Sequence, residues 1–265
     1  MLLVGERINT SIPSVAPRVE ARDADFICNI AREQVEAGAN MIDVNAGTFL
    51  QEECEILKWI VELVQEAADI PLCIDSPNPA AIEAALKFCK RKPLVSSLSA
   101  EKERYQAIAP LVKAYGASVV GLCMDEGGVP ATAEERAQIG KRLVEMLTAD
   151  GIREDDIYLD VMVRPIGVEA KDGLVALDTI SAIKQACPKV HTICGLSNVS
   201  FGLPARRVLN RTFLALAMAR GLDAAILDVL DKGIMTVVYS AQALLGEDDF
   251  CMNYISAYRS GKLVV

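Results

Sequence analysis

Residues 192–202, TICGLSNVSFG, carry the most unusual local chemistry in the chain. A β-branched run stops at Gly195. Ser197, Asn198 and Ser200 then follow where a buried strand would continue with apolar side chains. Similar polar breaks end other short apolar runs: Glu6, Arg7 and Asn9; Asp43 and Asn45; Asp75 and Ser76; Ser96 and Ser97; Asp125; Asp160; and Asp228. Gathered at one mouth, these side chains would offer many acceptors and a few amide donors. A neutral ring with an amino-amide edge, such as a 2-amino-4-oxo pteridine, suits that inventory, because one carboxylate accepts two parallel N–H bonds. Charge-assisted bonds of this kind contribute about 1.5–3 kcal/mol each.

Other uses of clustered carboxylates fit less well. A magnesium site usually accompanies a phosphate, and no P-loop motif is present. A glycosidase pairs two carboxylates and stacks its sugars on aromatics, which make up only 5% of this chain. The single histidine, His191, falls at the start of an apolar run, away from the polar ends, so triad and histidine–metal chemistry are excluded. Eight cysteines occur without any C-x-x-C pair, several inside apolar runs, and read as buried thiols of a reducing, cytoplasmic protein with no metal site.

The elements that must position these groups repeat as one unit: apolar run, polar or glycine-bearing break, amphipathic stretch. Strands are predicted at 2–5, 40–45, 71–75, 93–97, 118–124, 157–161, 190–195 and 224–228. Asn78-Pro79 and Thr132 with Glu135 mark helix starts, and Gly38, Gly116, Gly151 and Gly221 mark helix ends. In 54–68, Cys54, Leu57, Ile60, Val61, Val64 and Ala68 form one apolar face, with Trp59 off it. Eight such units in 265 residues predict a single-domain (β/α)8 TIM barrel over 1–265, whose reacting groups sit at the C-terminal ends of the strands. An open doubly wound sheet is the alternative, but no G-x-G-x-x-G follows the first run.

With 52% hydrophobic residues the chain can bury a sizeable core, and its net charge of −9 repels phosphate backbones and anionic lipids. Neither nucleic acid nor a membrane is expected as a partner, and no signal peptide or spanning segment is read at the N-terminus or in 212–219.

Taken together, LLVGERINT, MIDVNAG, LCIDSPNPAAIEAAL, IYLDV, GLSNVS and the run from Leu209 to Asp228 resemble the pterin-binding methyltransferases that move a methyl group between N5 of tetrahydrofolate and a corrinoid protein. A more distant similarity is to the folate domain of cobalamin-dependent methionine synthase. The resemblance implies that Asp75 and Asp160 hold the pteridine edge and that Asn198 hydrogen-bonds N5. Glu6, Asn9, Asp43, Ser197, Ser200 and Arg206 would complete the folate site. It further implies 5-methyltetrahydrofolate or tetrahydrofolate as substrate, cobalamin carried on a separate corrinoid protein, and a homodimer. One departure is at Ser96, where members of the family often carry asparagine; the shorter hydroxyl has one donor fewer. Asn198, a neutral amide, could accept a bond from protonated N5 but could not supply the proton, which is assigned to solvent.

Two rivals are weighed. Dihydropteroate synthases share the barrel but carry basic residues directly after the seventh strand, where this chain has Gly195-Leu196-Ser197-Asn198. Arg206 and Arg207 lie further on, where they could meet a folate glutamate tail. A non-catalytic pterin-binding protein would keep the aspartates and lack methyl exchange.

Overall fold

Side chains alternate in and out along every strand of this chain, and the two sets are buried in different places. The computed structural model describes residues 1–264. It contains eight parallel strands, β1 (Leu2–Asn9), β2 (Met41–Asn45), β3 (Leu72–Asp75), β4 (Leu94–Ser99), β5 (Ser118–Leu122), β6 (Ile157–Asp160), β7 (His191–Gly195) and β8 (Ala224–Leu227). They pair in chain order, and β1 also pairs with β8, which closes the single-domain barrel.

The inward set, Val4, Met41, Cys73, Leu94, Val120, Ile193 and Ala224, packs as one apolar plug inside the barrel. The outward set, including Leu3, Ile42, Val44, Leu72, Val95, Val119, Leu159 and Ala225, joins the larger core under the helices. Those helices are α1 (Ala16–Glu20), α2 (Ala24–Ala37), α3 (Glu53–Ala67), α4 (Pro79–Leu86), α5 (Lys102–Ala114), α6 (Ala133–Ala149), α7 (Asp172–Ala186), α8 (Arg206–Ala219), α9 (Lys232–Leu244) and α10 (Met252–Arg259). None of the described helices is long and apolar enough to cross a membrane.

The local signals read from the sequence operate as expected. Asn78 accepts the Ala80 N–H at 3.0 Å with Pro79 opening α4. Thr132 accepts the Glu135 N–H, and its hydroxyl donates to the Glu135 carboxylate at 2.8 Å. Gly38 ends α2 at φ 114°, a left-handed conformation that side chains rarely adopt. On α3, Leu57, Ile60, Val61 and Val64 are fully buried, whereas Trp59 lies under the Arg22 guanidinium at 5.2 Å.

Three strand ends differ from the sequence reading by two residues or more. β5 stops at Leu122 rather than 124, and β4 runs on to Ser99. The larger difference is β1, predicted to end at Gly5, which continues to Asn9 through a register irregularity between Gly5 and Ile8. Glu6, Arg7 and Asn9 are therefore strand residues, and their polarity had masked the strand. The buried Gln34 of α2 supports the irregularity by accepting the Arg7 backbone N–H at 3.0 Å.

A Cβ on Gly5 would collide with that same Gln34 Oε1. Gly5→Ala should therefore displace Gln34 and lose about 1–3 kcal/mol of stability, the range for overpacking a filled interior. Denaturant unfolding that gives a wild-type midpoint for this variant would contradict the assignment.

Candidate functional site

Two residues beyond the apolar plug, the same inward parity brings a different chemistry to the mouth. Val4 is followed by Glu6, Met41 by Asp43 and then Asn45, Cys73 by Asp75, Leu94 by Ser96 and Tyr158 by Asp160. Strand periodicity alone thus converts residues distant in sequence into a polar ring above a sealed floor.

A cavity of about 560 Å³ opens over part of this ring. Its walls include Glu6, Asn9, Asp43, Asp75, Ser197, Asn198 and Arg206, all named from the sequence. That volume is within the range of small-molecule sites. Ile226, Leu227 and Ile234 supply apolar wall on the β8 side.

The acids at its base are poorly solvated. Asp43 is 2% exposed, and burial, reinforced by Asp75, holds its carboxyl well above the usual carboxylate range. One of its oxygens, Oδ1, is buried without a hydrogen-bond partner. Burial also raises Asp75, opposed by Asn45 and Ser96; the Asn45 amide donates to Asp75 Oδ2 at 2.8 Å. Glu6 is pushed up to about 7 by burial first and by the nearby Asp228 charge second, against the lowering effect of Arg7 and Arg206. Its carboxyl can therefore hold or release a proton near neutrality.

Asn198 sits on a short 3-10 turn, residues 196–200, directly after β7. The turn is pinned from α8: Arg206 donates through Nη2 to the Ser197 carbonyl at 2.7 Å and through Nε to Ser200 Oγ at 3.0 Å. Ser200 Oγ in turn donates to Asn210 Oδ1 at 2.6 Å. The Asn198 side chain is exposed and, among the described residues, makes no intramolecular hydrogen bond, so its amide is free to meet a ligand. Gly195 permits this placement, since a Cβ there would come within 3.1 Å of Asn198 Nδ2.

Three residues expected to touch ligand lie outside the cavity lining. Ser200 is fully buried, and its hydroxyl is consumed by Asn210 and Arg206, so it supports the turn. Ser96 is 8% exposed and sits beside Asp75 and Cys73. Asp160 ends β6, next to β7 but outside the walls contributed by β1, β2, β3, β7 and β8; it keeps partial exposure, and burial raises its carboxyl to about 6. Asp125 leaves the mouth altogether, paired with Arg142 of α6 at 2.7 Å, because β5 ends before it. His191 stacks on Tyr158 at 4.7 Å, at the opposite end of the strands.

Arg7 and Arg207, both noted in the sequence, also line the cavity, whereas Asn210 and Asp231 line it without having been assigned to it. Asp231 caps α9 and binds Arg211 at 2.6 Å, so in sequence it reads as an ordinary helix start. Arg7 adjoins Asp228 at 3.6 Å.

The chain resembles known proteins along its whole length. It is 37% identical over 265 residues, 99% of this chain and 98% of the relative, to methylcorrinoid:tetrahydrofolate methyltransferase of Eubacterium limosum. It is 30% identical over 239 residues to methionine synthase of Mycobacterium tuberculosis, covering 85% of this chain and 20% of that much longer protein. Among solved structures, dihydropteroate synthase of Yersinia pestis superimposes with a TM-score of 0.69 at 15% identity, over 92% of this chain and 93% of the other. That of Xanthomonas albilineans gives 0.71 at 18% identity, over 92% of both. These two likenesses speak to the barrel fold only. Residues 5–228 match the family of pterin binding enzymes, and with the full-length relative this makes the chain a member of that family.

Proposed function

We propose that the protein is a methyltransferase that moves a methyl group between N5 of tetrahydrofolate and the cobalt of a corrinoid carried by a separate protein. The observation that carries this reading is the unpartnered Asn198 amide facing the same cavity as Asp75 and Glu6. Support comes from the full-length relative, itself named for methylcorrinoid and tetrahydrofolate.

In this reading Asp75 accepts the amino-amide edge of the pterin, with Asn45 fixing its rotamer. Asp160 contributes from the same inward ring, and Asp43 closes the base. When bound on its own protein, the corrinoid supplies the cobalt that gives or takes the methyl group. His191, stacked on Tyr158 beyond the apolar plug, is in no position to ligate it. An amide anion is a very poor leaving group, so N5 must be protonated as its methyl departs. The Asn198 carbonyl oxygen would accept the bond from N5–H⁺ and stabilise charge that exists mainly in the transition state. Glu6, half in its acid form near neutrality, is the group of this chain suited to supply that proton and to take it back in the reverse direction. Arg206 and Arg207 at the cavity edge would face the glutamate tail. A homodimer and a cytoplasmic location belong to the reading as expectations.

The dihydropteroate synthase alternative has no observation in its favour beyond the shared barrel, since the turn after β7 presents an amide where that chemistry uses basic groups.

The direct test is to mix the protein with 5-methyltetrahydrofolate and cob(I)alamin and follow formation of methylcobalamin by absorbance; no exchange would refute the assignment and favour a pterin-binding protein without this activity. Asn198→Ala should lower turnover about 10- to 1,000-fold with the fold intact, the range for losing one such stabilising contact. Asp75→Asn should mainly weaken folate binding, because its bonds form in ground and transition states alike; calorimetry returning wild-type affinity would remove it from the pocket. The Glu6 role has its own signature. Demethylation of 5-methyltetrahydrofolate should slow as pH rises through about 7, where Glu6 loses its proton, and Glu6→Gln should be slower and lack that limb. A limb unchanged in Glu6→Gln would place the acid elsewhere.

A further inference from the structure

We propose that Arg136 is a positioning residue for Asp160, acting through the single peptide group that joins Val161 to Met162. The inference rests on the reading above, in which Asp160 holds the pterin.

Arg136 belongs to α6, the helix after β5, yet its side chain is completely buried and reaches across to the loop after β6. Its Nη1 donates to the carbonyl oxygens of Val161 at 3.2 Å and Met162 at 3.0 Å, and its Nε donates to Pro130 O at 2.9 Å. The Val161–Met162 peptide therefore has its oxygen held by the guanidinium. Its N–H donates at 2.7 Å to Asp160 Oδ1. A cation on the carbonyl end of a peptide polarises the group and strengthens the N–H as a donor, so the charge of Arg136 is relayed to the carboxylate as both orientation and stabilisation. Met162 adopts φ 58°, an unfavourable conformation for a methionine, at the bond between its N–H, held by Asp160, and its carbonyl, held by Arg136.

A burial this complete requires compensation. It comes from Asp172, 1% exposed, whose Oδ1 lies 3.6 Å from Arg136 Nη2 while Arg164 binds both carboxylate oxygens at 2.8 and 2.9 Å. Two guanidiniums share one carboxylate, leaving an excess positive charge beside Asp160, and Arg136 Nη2 is left without a hydrogen bond. The other titratable groups packed around Asp160 are the buried thiols of Cys123 and Cys194, which burial and Asp160 itself push far above neutrality, so they stay uncharged. Arg136 is the cation that lowers Asp160 against the effect of its burial.

The test reads Asp160 directly, by carbon-detected NMR titration of carboxyl-labelled aspartate, alongside tetrahydrofolate affinity as a function of pH by calorimetry. In wild type the Asp160 midpoint is expected near 6. In Arg136→Met it should rise by about one pH unit, the lower end of what a nearby opposite charge contributes. Folate affinity on the acid side of the midpoint should then fall about tenfold, with recovery at high pH. Arg136→Lys keeps the charge next to Asp172 and should shift the midpoint in the same direction by less; it serves as the readout if the methionine variant does not fold. An Asp160 midpoint unchanged in the folded variant overturns the inference. Wild-type folate affinity in Asp160→Asn would instead overturn the role of Asp160 in binding, with the NMR result standing apart from it.

Discussion

The site depends on one geometric constraint: in a closed parallel barrel every second side chain must point into a space that the others have already filled. Here that space is stopped by Val4, Met41, Cys73, Leu94, Val120, Ile193 and Ala224. The next inward residue on each strand can go only to the mouth. Whether it is Glu6, Asp75 or Asp160, or instead Leu122 or Ile226, sets where the mouth is polar and where it is apolar. The plug also keeps water from reaching these carboxylates from below, which is why burial dominates every raised acid in the ring.

A ring of acids at such close quarters is tolerable because its members do not all ionise. Asp43, deepest and next to Asp75, has its carboxyl held well above the usual carboxylate range by burial, which favours the neutral acid, a form that can donate as well as accept. Asp75 keeps an amide donor, and Glu6 titrates near neutrality between opposing charges. The result is a graded set from neutral acid to carboxylate within one cavity. A neutral pterin, which presents donors and acceptors on one edge, matches a graded set better than a fully anionic cluster, which would favour a cation.

Most of this was legible in the sequence because strands and helix ends write strong local signals. All eight strands lie within a few residues of their apolar runs, and the caps at Asn78 and Thr132 form as read. What escaped was tertiary. The extension of β1 through Glu6 and Arg7 depends on Gln34 of α2 accepting a backbone N–H, a partnership 27 residues away that no local pattern announces. Asp125 and Asp160 look alike as strand-end carboxylates, but β5 ends before Asp125, which pairs instead with Arg142 of α6. Ser200 reads as a free hydroxyl until Asn210 and Arg206 fold over it.

The arginines show the same division of labour from the helix side. A cation in the first turn of a helix opposes the helix dipole, at a cost of about 0.3–1 kcal/mol when exposed. Yet Arg104, Arg136 and Arg206 all stand in first turns, on α5, α6 and α8. Each turns away from its own helix to donate to carbonyls at the strand ends and the loops beyond them: Arg104 to Ser76, Pro77 and Ser97, Arg136 to Pro130, Val161 and Met162, and Arg206 to Ser197. These acceptors lie in the loops after β3, β5, β6 and β7 and, at Ser97, at the register irregularity of β4, and a guanidinium offers five donors and no acceptor of its own. The carbonyls so held directly follow Asp75, Ser96 and Asp160 or directly precede Asn198. Strands and the turn after β7 thus deliver the polar side chains of the mouth, and the helices, through these three arginines, fix the peptide groups beside them.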